Sequence, residues 1–251
     1  MRVDVLGVGI SAINRSDAVA TISEWVDSGI PHYVCVTGVH GVMESQRDPE
    51  LMRIHNASGM TVPDGMPLVW AGHKAGAAWM QRVYGPDLML DVCEFGVSRG
   101  WRHYFCGGAE GVAPLLAEKL ESRFPGLAVA GTYTPPFRPL TESEAGVLAT
   151  DIEATNADIV WVGLSTPKQE RFMASQIARL SRAQLVGVGA AFDIHAGLLR
   201  QAPPRLQKAG MEWAFRLAVE PRRLWRRYTK NNPAFVAGIL RRPPVLRGEG
   251  Y

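Results

Sequence analysis

The sequence contains little cysteine and no long apolar run. Its three cysteines in 251 residues, Cys35, Cys93 and Cys106, are odd in number and widely spaced. This pattern fits neither a disulfide framework nor a zinc site, and it predicts reduced thiols in a hydrophobic core. No apolar stretch approaches the roughly 18 residues that a membrane-spanning helix needs. The first residues lead into a strand pattern rather than a signal peptide, so we expect a cytosolic protein.

Several catalytic motifs are also missing. The sequence has no Asp-x-Asp, His-Glu-x-x-His or Walker motif. These absences exclude the usual diphosphate–metal clamp, zinc peptidases and P-loop enzymes in their common forms. A site that stabilises a leaving diphosphate here would use arginine, lysine and helix N-termini instead. We therefore expect no metal ion and no cofactor.

The sequence does contain the pattern of an α/β domain. With 47% hydrophobic and 20% charged residues it can bury a large core, which excludes disorder as its main state. Short apolar runs alternate with helical patterns, which predicts a largely parallel sheet with flanking helices. The predicted strands are Val3–Val8, Tyr33–Thr37, His103–Cys106, Ala128–Tyr133, Ile159–Val162 and Gln184–Val188. The predicted helices are Asp17–Ser28, Pro49–Ala57, Met66–Ala75, Pro86–Arg99, Gly111–Phe124, Glu142–Ala154 and Lys168–Leu180, and we interpret Gly7–Ala12 as a turn.

Positive charge is concentrated at the C-terminal end. Residues 196–251 carry 12 Lys or Arg against 3 Asp or Glu, although the whole chain has a net charge of only +3. From Pro221 the helical spacing places Arg222, Arg223, Arg226, Arg227 and Lys230 within an arc of roughly 140°. Leu224, Trp225 and Tyr228 occupy the opposite side. This pattern indicates binding to an anionic bilayer surface or a polyphosphate, and a solubilising tail is the simpler alternative.

Two turns at predicted strand ends carry candidate site residues. In Cys106-Gly107-Gly108-Ala109-Glu110-Gly111, the residues Gly107 and Gly108 would let a phosphate approach the backbone at a helix N-terminus. A close-packed structural turn explains them equally well. Asp64 follows a short apolar strand in Pro63-Asp64-Gly65, where it is either a general base or an ordinary helix N-cap.

Two further turns add polar groups at the same predicted sheet edge. Lys168, Gln169 and Glu170 follow the strand that ends at Val162, and Asp193 and His195 follow the strand that ends at Val188. In open α/β sheets, ligands bind at the carboxyl ends of the strands. A lone histidine on such a turn is more often structural than catalytic.

Five spaced motifs occur in order between about Val3 and Tyr228. They are Pro63-Asp64-Gly65-Met66-Pro67, Arg82-x-x-Gly85-x-Asp87, Gly163-x-x-x-Pro167-Lys168-Gln169-Glu170, Gly187-Val188-Gly189-Ala190-Ala191-Phe192-Asp193, and Glu212-Trp213-x-x-Arg216-x-x-x-Glu220-Pro221-x-Arg223-x-x-Arg226-Arg227-Tyr228. Together they resemble the WecG/TagA/CpsF glycosyltransferases, glycosyltransferase family 26. The ordered set of five is specific, whereas any one of them alone is not.

The resemblance implies a Rossmann-like core, predicted here as residues 1–195, and a C-terminal helical appendage, residues 196–251. It implies a metal-independent, inverting transfer from a UDP-sugar to a polyprenyl-diphosphate-linked saccharide, the polyprenyl being undecaprenol. The donors of the family include UDP-N-acetylmannosamine, its uronic acid and UDP-glucose, for wall teichoic acid, enterobacterial common antigen or exopolysaccharide. Such a protein would be peripheral on the anionic inner face of the bacterial plasma membrane.

Carried over by position, the resemblance makes Asp64 the general base that deprotonates the acceptor hydroxyl. It places Thr37, Arg82, Gln169 and Asp193 around the sugar or nucleotide, and it assigns the diphosphate to Arg216, Arg223 and Arg226 or Arg227. One position departs from the family, in which Thr-x-Asn is common: in Thr37-Gly38-Val39, the valine stands in place of the asparagine. The hydrogen bond that this asparagine would make to the substrate is absent or comes from another residue, for which His40 is the candidate. The sequence therefore does not identify the donor sugar.

Two other function classes are alternatives to this expectation. An NAD-dependent oxidoreductase would use Gly107–Gly111, but the next strand, ending near Tyr133, offers no acidic residue for a ribose. A non-catalytic module that binds nucleic acid through the basic tail leaves the five motifs unexplained, and we expect no nucleic-acid partner. A homo-oligomer sealed by the aromatic tail stays open.

Overall fold

The structure is a computed structural model that describes residues 1–248, without the side chains of Pro204, Lys208 and Arg223. Strands and helices alternate along most of this range. The strands are β1 (Arg2–Val5), β2 (Val8–Ser11), β3 (Tyr33–Thr37), β4 (Met60–Pro63), β5 (Arg102–Gly107), β6 (Ala128–Tyr133), β7 (Ile159–Gly163), β8 (Gln184–Gly187) and β9 (Val245–Arg247). The α-helices are α1 (Arg15–Ser28), α2 (Val39–Ser45), α3 (Pro49–Ala57), α4 (Met66–Lys74), α5 (Gly85–Arg99), α6 (Val112–Arg123), α7 (Glu142–Ala154), α8 (Lys168–Gln176), α9 (Ala191–His195), α10 (Pro204–Lys208), α11 (Glu212–Val219) and α12 (Pro221–Arg241).

Six strands form one sheet in the order β4-β3-β8-β7-β5-β6. The pairs β3–β8, β8–β7, β7–β5 and β5–β6 are parallel. Parallel neighbours require crossover connections, and helices supply them between these strands. The predicted α/β class with a Rossmann-like, largely parallel sheet is therefore confirmed.

The N-terminal segment does not belong to this sheet. Strands β1 and β2 form an antiparallel hairpin, so the predictions of one strand over Val3–Val8 and a turn over Gly7–Ala12 are wrong. The chain reverses at Leu6 and Gly7, whose φ angles are 55° and 90°, and the Gly7 N–H donates to Asp4 Oδ1 at 2.6 Å. Left-handed backbone at two consecutive residues suits a two-residue hairpin turn, which the continuous apolar run concealed.

The third strand of the small sheet comes from the other end of the described chain. Strand β9 pairs antiparallel with β1. The guanidinium groups of Arg242 and Arg247 both donate to Asp4 Oδ2, at 3.0 and 2.6 Å. These contacts fasten the end of α12 and the strand after it to the N-terminal hairpin.

The chain divides into two compact units. The first consists of Met1–Arg15, Thr37–Tyr84 and, within the described residues, 200–248; the second consists of Ser16–Val36 and Gly85–Leu199. An apolar cluster of the first unit joins the hairpin to α2, α4 and α12, and it includes the residues Val3, Val5, Leu6, Val8, Ile10, Val42, Met43, Leu68, Met80 and Phe235. The predicted division between residues 195 and 196 stays a prediction.

The second unit contains the buried strands β5, β7 and β8. Trp161 on β7 is fully buried, and its indole N–H donates to His103 Nδ1 on β5 at 3.1 Å. Cys35, Cys93 and Cys106 are buried and form no disulfide within the described residues, which confirms the prediction of reduced core thiols. Burial raises the pKa of the Cys93 and Cys106 thiols above its usual range, so these thiols are poor nucleophiles.

The predicted basic helix exists and is longer than its arginine pattern indicated. It begins at Pro221, a favoured first-turn residue, and continues past Lys230 to Arg241. Leu224 is fully buried, whereas Trp225 on the same predicted side is 50% exposed. The side of α12 opposite the arginines is therefore only partly covered. Over the described range, none of the helices has both the length and the apolar character of a membrane span.

Candidate active site

Asp64 lies on the turn that follows β4. Its backbone N–H donates to the Thr37 carbonyl at 2.9 Å, and the Val83 N–H donates to the Pro63 carbonyl at 2.9 Å. The N-cap of α4 is Gly65, and no side chain caps that helix. Asp64 is therefore not the N-cap of α4. A half-buried carboxylate held by backbone hydrogen bonds at a strand end has the placement expected of a general base.

Arg82 connects the Asp64 turn to the C-terminal helices of the same unit. Its Nε donates to the Asp64 carbonyl, its Nη1 to Gln207 Oε1 at 3.2 Å, and its Nη2 to Glu212 Oε2. The guanidinium also lies 4.0 Å from the centroid of the Tyr84 ring. We call Asp64, Arg82, Tyr84, Gln207 and Glu212 the Arg82 cluster. In it, one side chain holds α10, α11 and the candidate base in a fixed arrangement.

The Arg82 cluster contains two carboxylates. Burial and the negative charge of Asp64 raise the pKa of the Glu212 carboxyl, although Arg82 opposes the shift. Burial also raises the pKa of the Tyr84 hydroxyl well above its usual range, and Glu212 and Asp64 add to the shift. The Arg82 cluster therefore places two acidic side chains, Asp64 and Glu212, around one guanidinium, although Glu212 belongs to a basic segment.

Tyr228 of α12 lies where this negative cluster meets the arginines. Burial raises its pKa; the charges of Arg216 and Arg227 lower it, and those of Glu212 and Asp64 raise it. The Tyr228 ring packs edge-to-face against Trp213 of α11, with centroids 5.9 Å apart. Two of the arginines predicted to bind the diphosphate, Arg216 and Arg227, therefore lie close enough to Tyr228 to shift its pKa. The candidate base Asp64 does so as well.

The predicted arginines differ in their other surroundings. Arg226 is exposed and lies 5.5 Å from the Trp225 ring. Arg216 also faces Glu220 on its own helix, at 3.8 Å. Arg223 lies on α12, but its side chain is outside the described residues, so its predicted role is untouched by the structure.

Thr37 is buried at the end of β3 beside a histidine that the sequence did not single out. Its hydroxyl lies 2.9 Å from His55 Nε2, and His55 Nδ1 lies 3.0 Å from the Leu51 carbonyl. Burial lowers the pKa of His55 to about 4. The neutral ring donates from Nδ1 to that carbonyl, so Nε2 accepts the Thr37 proton and fixes the direction of the hydroxyl.

Val39 and His40 open helix α2. Val39 packs against the apolar cluster of the first unit, so this position serves the core. The side chain of His40 contacts α12 instead: its Nδ1 accepts from Asn231 Nδ2 at 3.0 Å and lies 3.7 Å from Glu44. The prediction that His40 replaces a missing substrate contact stays a prediction.

The glycine turn after β5 belongs to the second unit. Gly107 and Gly108 have φ angles of 143° and 74°, and the Gly108 N–H donates to the Gly163 carbonyl at 3.0 Å. A Cβ on Gly107 would lie 2.6 Å from the Gly163 backbone nitrogen. This crowding by backbone supports the structural explanation of the turn, and binding of a phosphate there stays a prediction.

Gln169 and Asp193 also lie in the second unit, after β7 and β8. Gln169 is 3% exposed and donates to the Gly187 carbonyl. The Asp193 carbonyl accepts from the Leu198 and Leu199 N–H groups. His195 Nε2 lies 2.9 Å from the Pro86 carbonyl, and burial lowers the pKa of its ring, which fits a structural histidine.

The predicted site residues therefore fall into two groups. Thr37, His40, Asp64, Arg82, Arg216, Arg226 and Arg227 lie in the first unit, and Gly107, Gly108, Gln169 and Asp193 lie in the second. Within the described residues, no cluster of three His, Cys, Asp or Glu side chains could hold a metal ion. The roles of these predicted site residues toward a substrate stay predictions.

Comparison with known proteins decides the family. The model of the "Glycosyl transferase WecG/TagA/CpsF family" matches residues 3–247. The chain belongs to this family. A curated relative from Bacillus spizizenii is 28% identical over 198 residues, which cover 79% of this chain and 74% of the relative. A relative from Bacillus subtilis is 23% identical over 203 residues, 81% of this chain and 77% of the relative. Both are named N-acetylglucosaminyldiphosphoundecaprenol N-acetyl-beta-D-mannosaminyltransferase.

This glycosyltransferase contains site residues whose roles no sequence pattern indicated. Glu212, Gln207 and Tyr84 surround Arg82, and Asn231 joins α12 to His40. Glu212 stands in a quoted motif and is one of few acids in a strongly basic segment, which is a signal that could have found it. Gln207 and Asn231 show no such signal, because an isolated amide in a helix is most often a surface residue.

Proposed function

We propose that this glycosyltransferase moves a sugar from a UDP-sugar to a diphosphoundecaprenol-linked saccharide in bacterial cell-surface polysaccharide biosynthesis. The observation that carries the proposal is that two relatives, each matched over about four-fifths of this chain, have one and the same acceptor in their names. Those names also make N-acetylmannosamine the first donor sugar to test, ahead of its uronic acid and glucose.

The proposed reaction is a single inverting displacement. The acceptor hydroxyl oxygen attacks the anomeric carbon while the bond from that carbon to the UDP oxygen breaks, and the electron pair leaves with UDP. The acceptor proton passes to the Asp64 carboxylate. We assign stabilisation of the departing diphosphate to Arg216 of α11 and to Arg227 and its neighbours on α12 rather than to a metal ion. The position of Asp64, held at the end of β4 by backbone hydrogen bonds, supports its assignment as base.

We also propose that α12 brings the protein to an anionic membrane surface where its lipid-linked acceptor resides. The exposed Trp225 and the exposed Arg222, Arg226 and Lys230 support this, since an interfacial helix combines an aromatic anchor with cations. The protein would then act as a peripheral enzyme of the inner membrane face.

The test is release of UDP by purified protein with a lipid-diphosphate-N-acetylglucosamine acceptor and a panel of UDP-sugars in EDTA. Acceptor-dependent release from one donor would support the transfer, identify the sugar and support metal independence. Activity that EDTA abolishes and Mg²⁺ restores would overturn metal independence alone. In the same assay Asp64→Asn should lower turnover at least about 100-fold with UDP-sugar binding retained, and near-normal turnover would refute the base.

A further inference from the structure

A buried polar cluster in the second unit has hydrogen-bonding groups that no described protein atom satisfies. It consists of Thr166, Gln169 and Glu170, on the turn after β7 and the first turn of α8, and Gln176 is a further buried amide at the end of the same helix. Gln169, Glu170 and Gln176 are 3%, 0% and 1% exposed. Gln169 Oε1, Glu170 Oε2 and both amide atoms of Gln176 lack a partner within the described chain. A buried unpaired polar group costs about 1–3 kcal/mol, so packing alone does not explain this cluster.

The orientation of the Gln169 amide follows from its surroundings. Its Nε2 lies 3.2 Å from the Gly187 carbonyl oxygen and 3.3 Å from Glu170 Oε1. A backbone carbonyl can only accept, so the nitrogen must be the end of the amide that faces Gly187. The oxygen of Gln169 is then the end without a partner.

Glu170 adds the second contact that holds this orientation. Its Oε1 accepts from the Thr166 hydroxyl at 2.7 Å as well as from the Gln169 amide. Burial raises the pKa of the Glu170 carboxyl, which favours the neutral acid in this position. A neutral carboxyl still offers its Oε1 as an acceptor, so the contact to Gln169 survives protonation.

The free oxygen of Gln169 faces the turns at the ends of β7 and β8. A Cβ built on Gly189 would lie 3.3 Å from Gln169 Oε1 and 3.8 Å from the Ser165 Cα. Gly189 has a φ of 52°, and a side chain there would crowd the oxygen. Ligands of parallel α/β sheets bind at these carboxyl ends, so a ligand at this sheet edge is the candidate partner of the buried acceptor.

We propose that Glu170 is a positioning residue that holds the Gln169 amide with its oxygen toward the Gly189 turn, where it accepts a hydrogen bond from an N–H or O–H group of the nucleotide-sugar donor. This inference rests on the proposed function for the identity of the ligand. The shared chemistry is a hydrogen-bond donor, which the uracil imide N–H or an N–H or O–H group of the sugar can supply. Glu170 acts through Gln169 and touches no reacting atom.

The test is calorimetric titration of the full chain with UDP, N3-methyl-UDP and UDP-N-acetylmannosamine. Gln169→Met should weaken binding about 10-fold, and Glu170→Met about 3- to 10-fold, as expected for one lost hydrogen bond. The conservative Glu170→Gln keeps an acceptor oxygen and should remain within about 2-fold of the wild type. The double variant should bind no more weakly than Gln169→Met alone, because Glu170 acts only through Gln169.

The three ligands distinguish the source of the hydrogen bond. If the uracil imide supplies it, the variants weaken UDP and leave N3-methyl-UDP unchanged; if the sugar supplies it, only UDP-N-acetylmannosamine is weakened. Additive losses in the double variant, or a Glu170→Gln variant as weak as Glu170→Met, would overturn the inference while leaving the proposed function standing. A folded wild-type chain that binds none of the ligands would overturn both.

A measurement on the wild type covers the case in which Glu170→Met does not fold. In ¹⁵N NMR the side-chain amide of Gln169 should exchange its protons far more slowly than that of the exposed Gln201, since both of its contacts are buried. Exchange as fast as that of Gln201 would show that the amide is not held, and the inference would be wrong.

Discussion

Replacing Arg82 by lysine should loosen α10 and α11 from the Asp64 turn. The arginine makes three directed hydrogen bonds, to the Asp64 carbonyl, Gln207 and Glu212, and stacks on Tyr84. A lysine ammonium can keep the charge contact with Glu212, but it cannot reach the other two acceptors in the same geometry. Two lost hydrogen bonds at about 1 kcal/mol each and up to about 1 kcal/mol of lost stacking give a loss of about 2–3 kcal/mol.

The loss can be measured as local opening. A change of about 2–3 kcal/mol raises the open population roughly 30- to 150-fold. Backbone amides of α10 and α11 should lose hydrogen-exchange protection by that factor, while those of β7 keep theirs. Arg99→Lys is the matched control, because Arg99 also pairs with a carboxylate (Asp27, 3.2 Å) and lies over a ring (Phe95, 5.1 Å), but at 44% side-chain exposure. Equal protection of α10 and α11 in both variants would refute the view that Arg82 holds these helices.

Three further outcomes follow from particular contacts. Gly163→Ala should lower the free energy of unfolding, measured by thermal unfolding, by about 1–3 kcal/mol, since its Cβ would lie 2.5 Å from the Phe192 ring. Gly146→Ala, in open space on α7, should instead raise it by about 0.5–1 kcal/mol, and equal effects of the two substitutions would contradict this packing. The pKa of His55 is about 4 in the folded chain against an ordinary 6.5, so the unfolded state is protonated first as the pH falls. About 3 kcal/mol of the free energy of unfolding, present above pH 6.5, is therefore lost as the pH falls toward 4. The difference in Tm between wild type and His55→Gln should therefore shrink between pH 7 and pH 4.5, and a constant difference would count against a neutral buried His55. Trp225→Ser should weaken sedimentation with anionic vesicles at least about 3-fold, whereas Phe137→Ser, exposed in the second unit, should not, and equal binding by both would argue against α12 as the membrane contact.

The alternation of apolar runs and helical patterns was sufficient for the fold class. Strand Ala128–Tyr133 occurs with the bounds that the sequence predicts, although it is a partly exposed strand at the edge of the sheet. Tyr33–Thr37 also has its predicted bounds, because a buried parallel strand is a continuous apolar run between turn residues. The N-terminal hairpin was missed for the same reason. Its two strands are both apolar, and the reversal depends on left-handed backbone at Leu6, a residue type that gives no turn signal.

Asp64 and the arginines of α12 were predictable as chemical groups, since acids on glycine-bounded turns and arginines at helical spacing are visible in one dimension. Their partners were not. Arg82 contacts Glu212 across 130 positions of sequence and Gln207 across 125, and no local pattern encodes a contact of that range. The same holds for Asn231 and His40, which lie 191 positions apart.

The sequence by itself determined the α/β class, the family, the acid on the β4 turn and the basic amphipathic helix, because each depends on local periodicity or on short ordered motifs. Only the tertiary structure decided what these groups face. It showed that Gly65 rather than Asp64 caps α4, that Val39 serves the core, and that Arg82 joins the C-terminal helices to the candidate base. The physical reason is that hydrogen-bond partners and burial are set by the packing of distant segments, which acts through three-dimensional proximity and leaves no periodic trace along the chain.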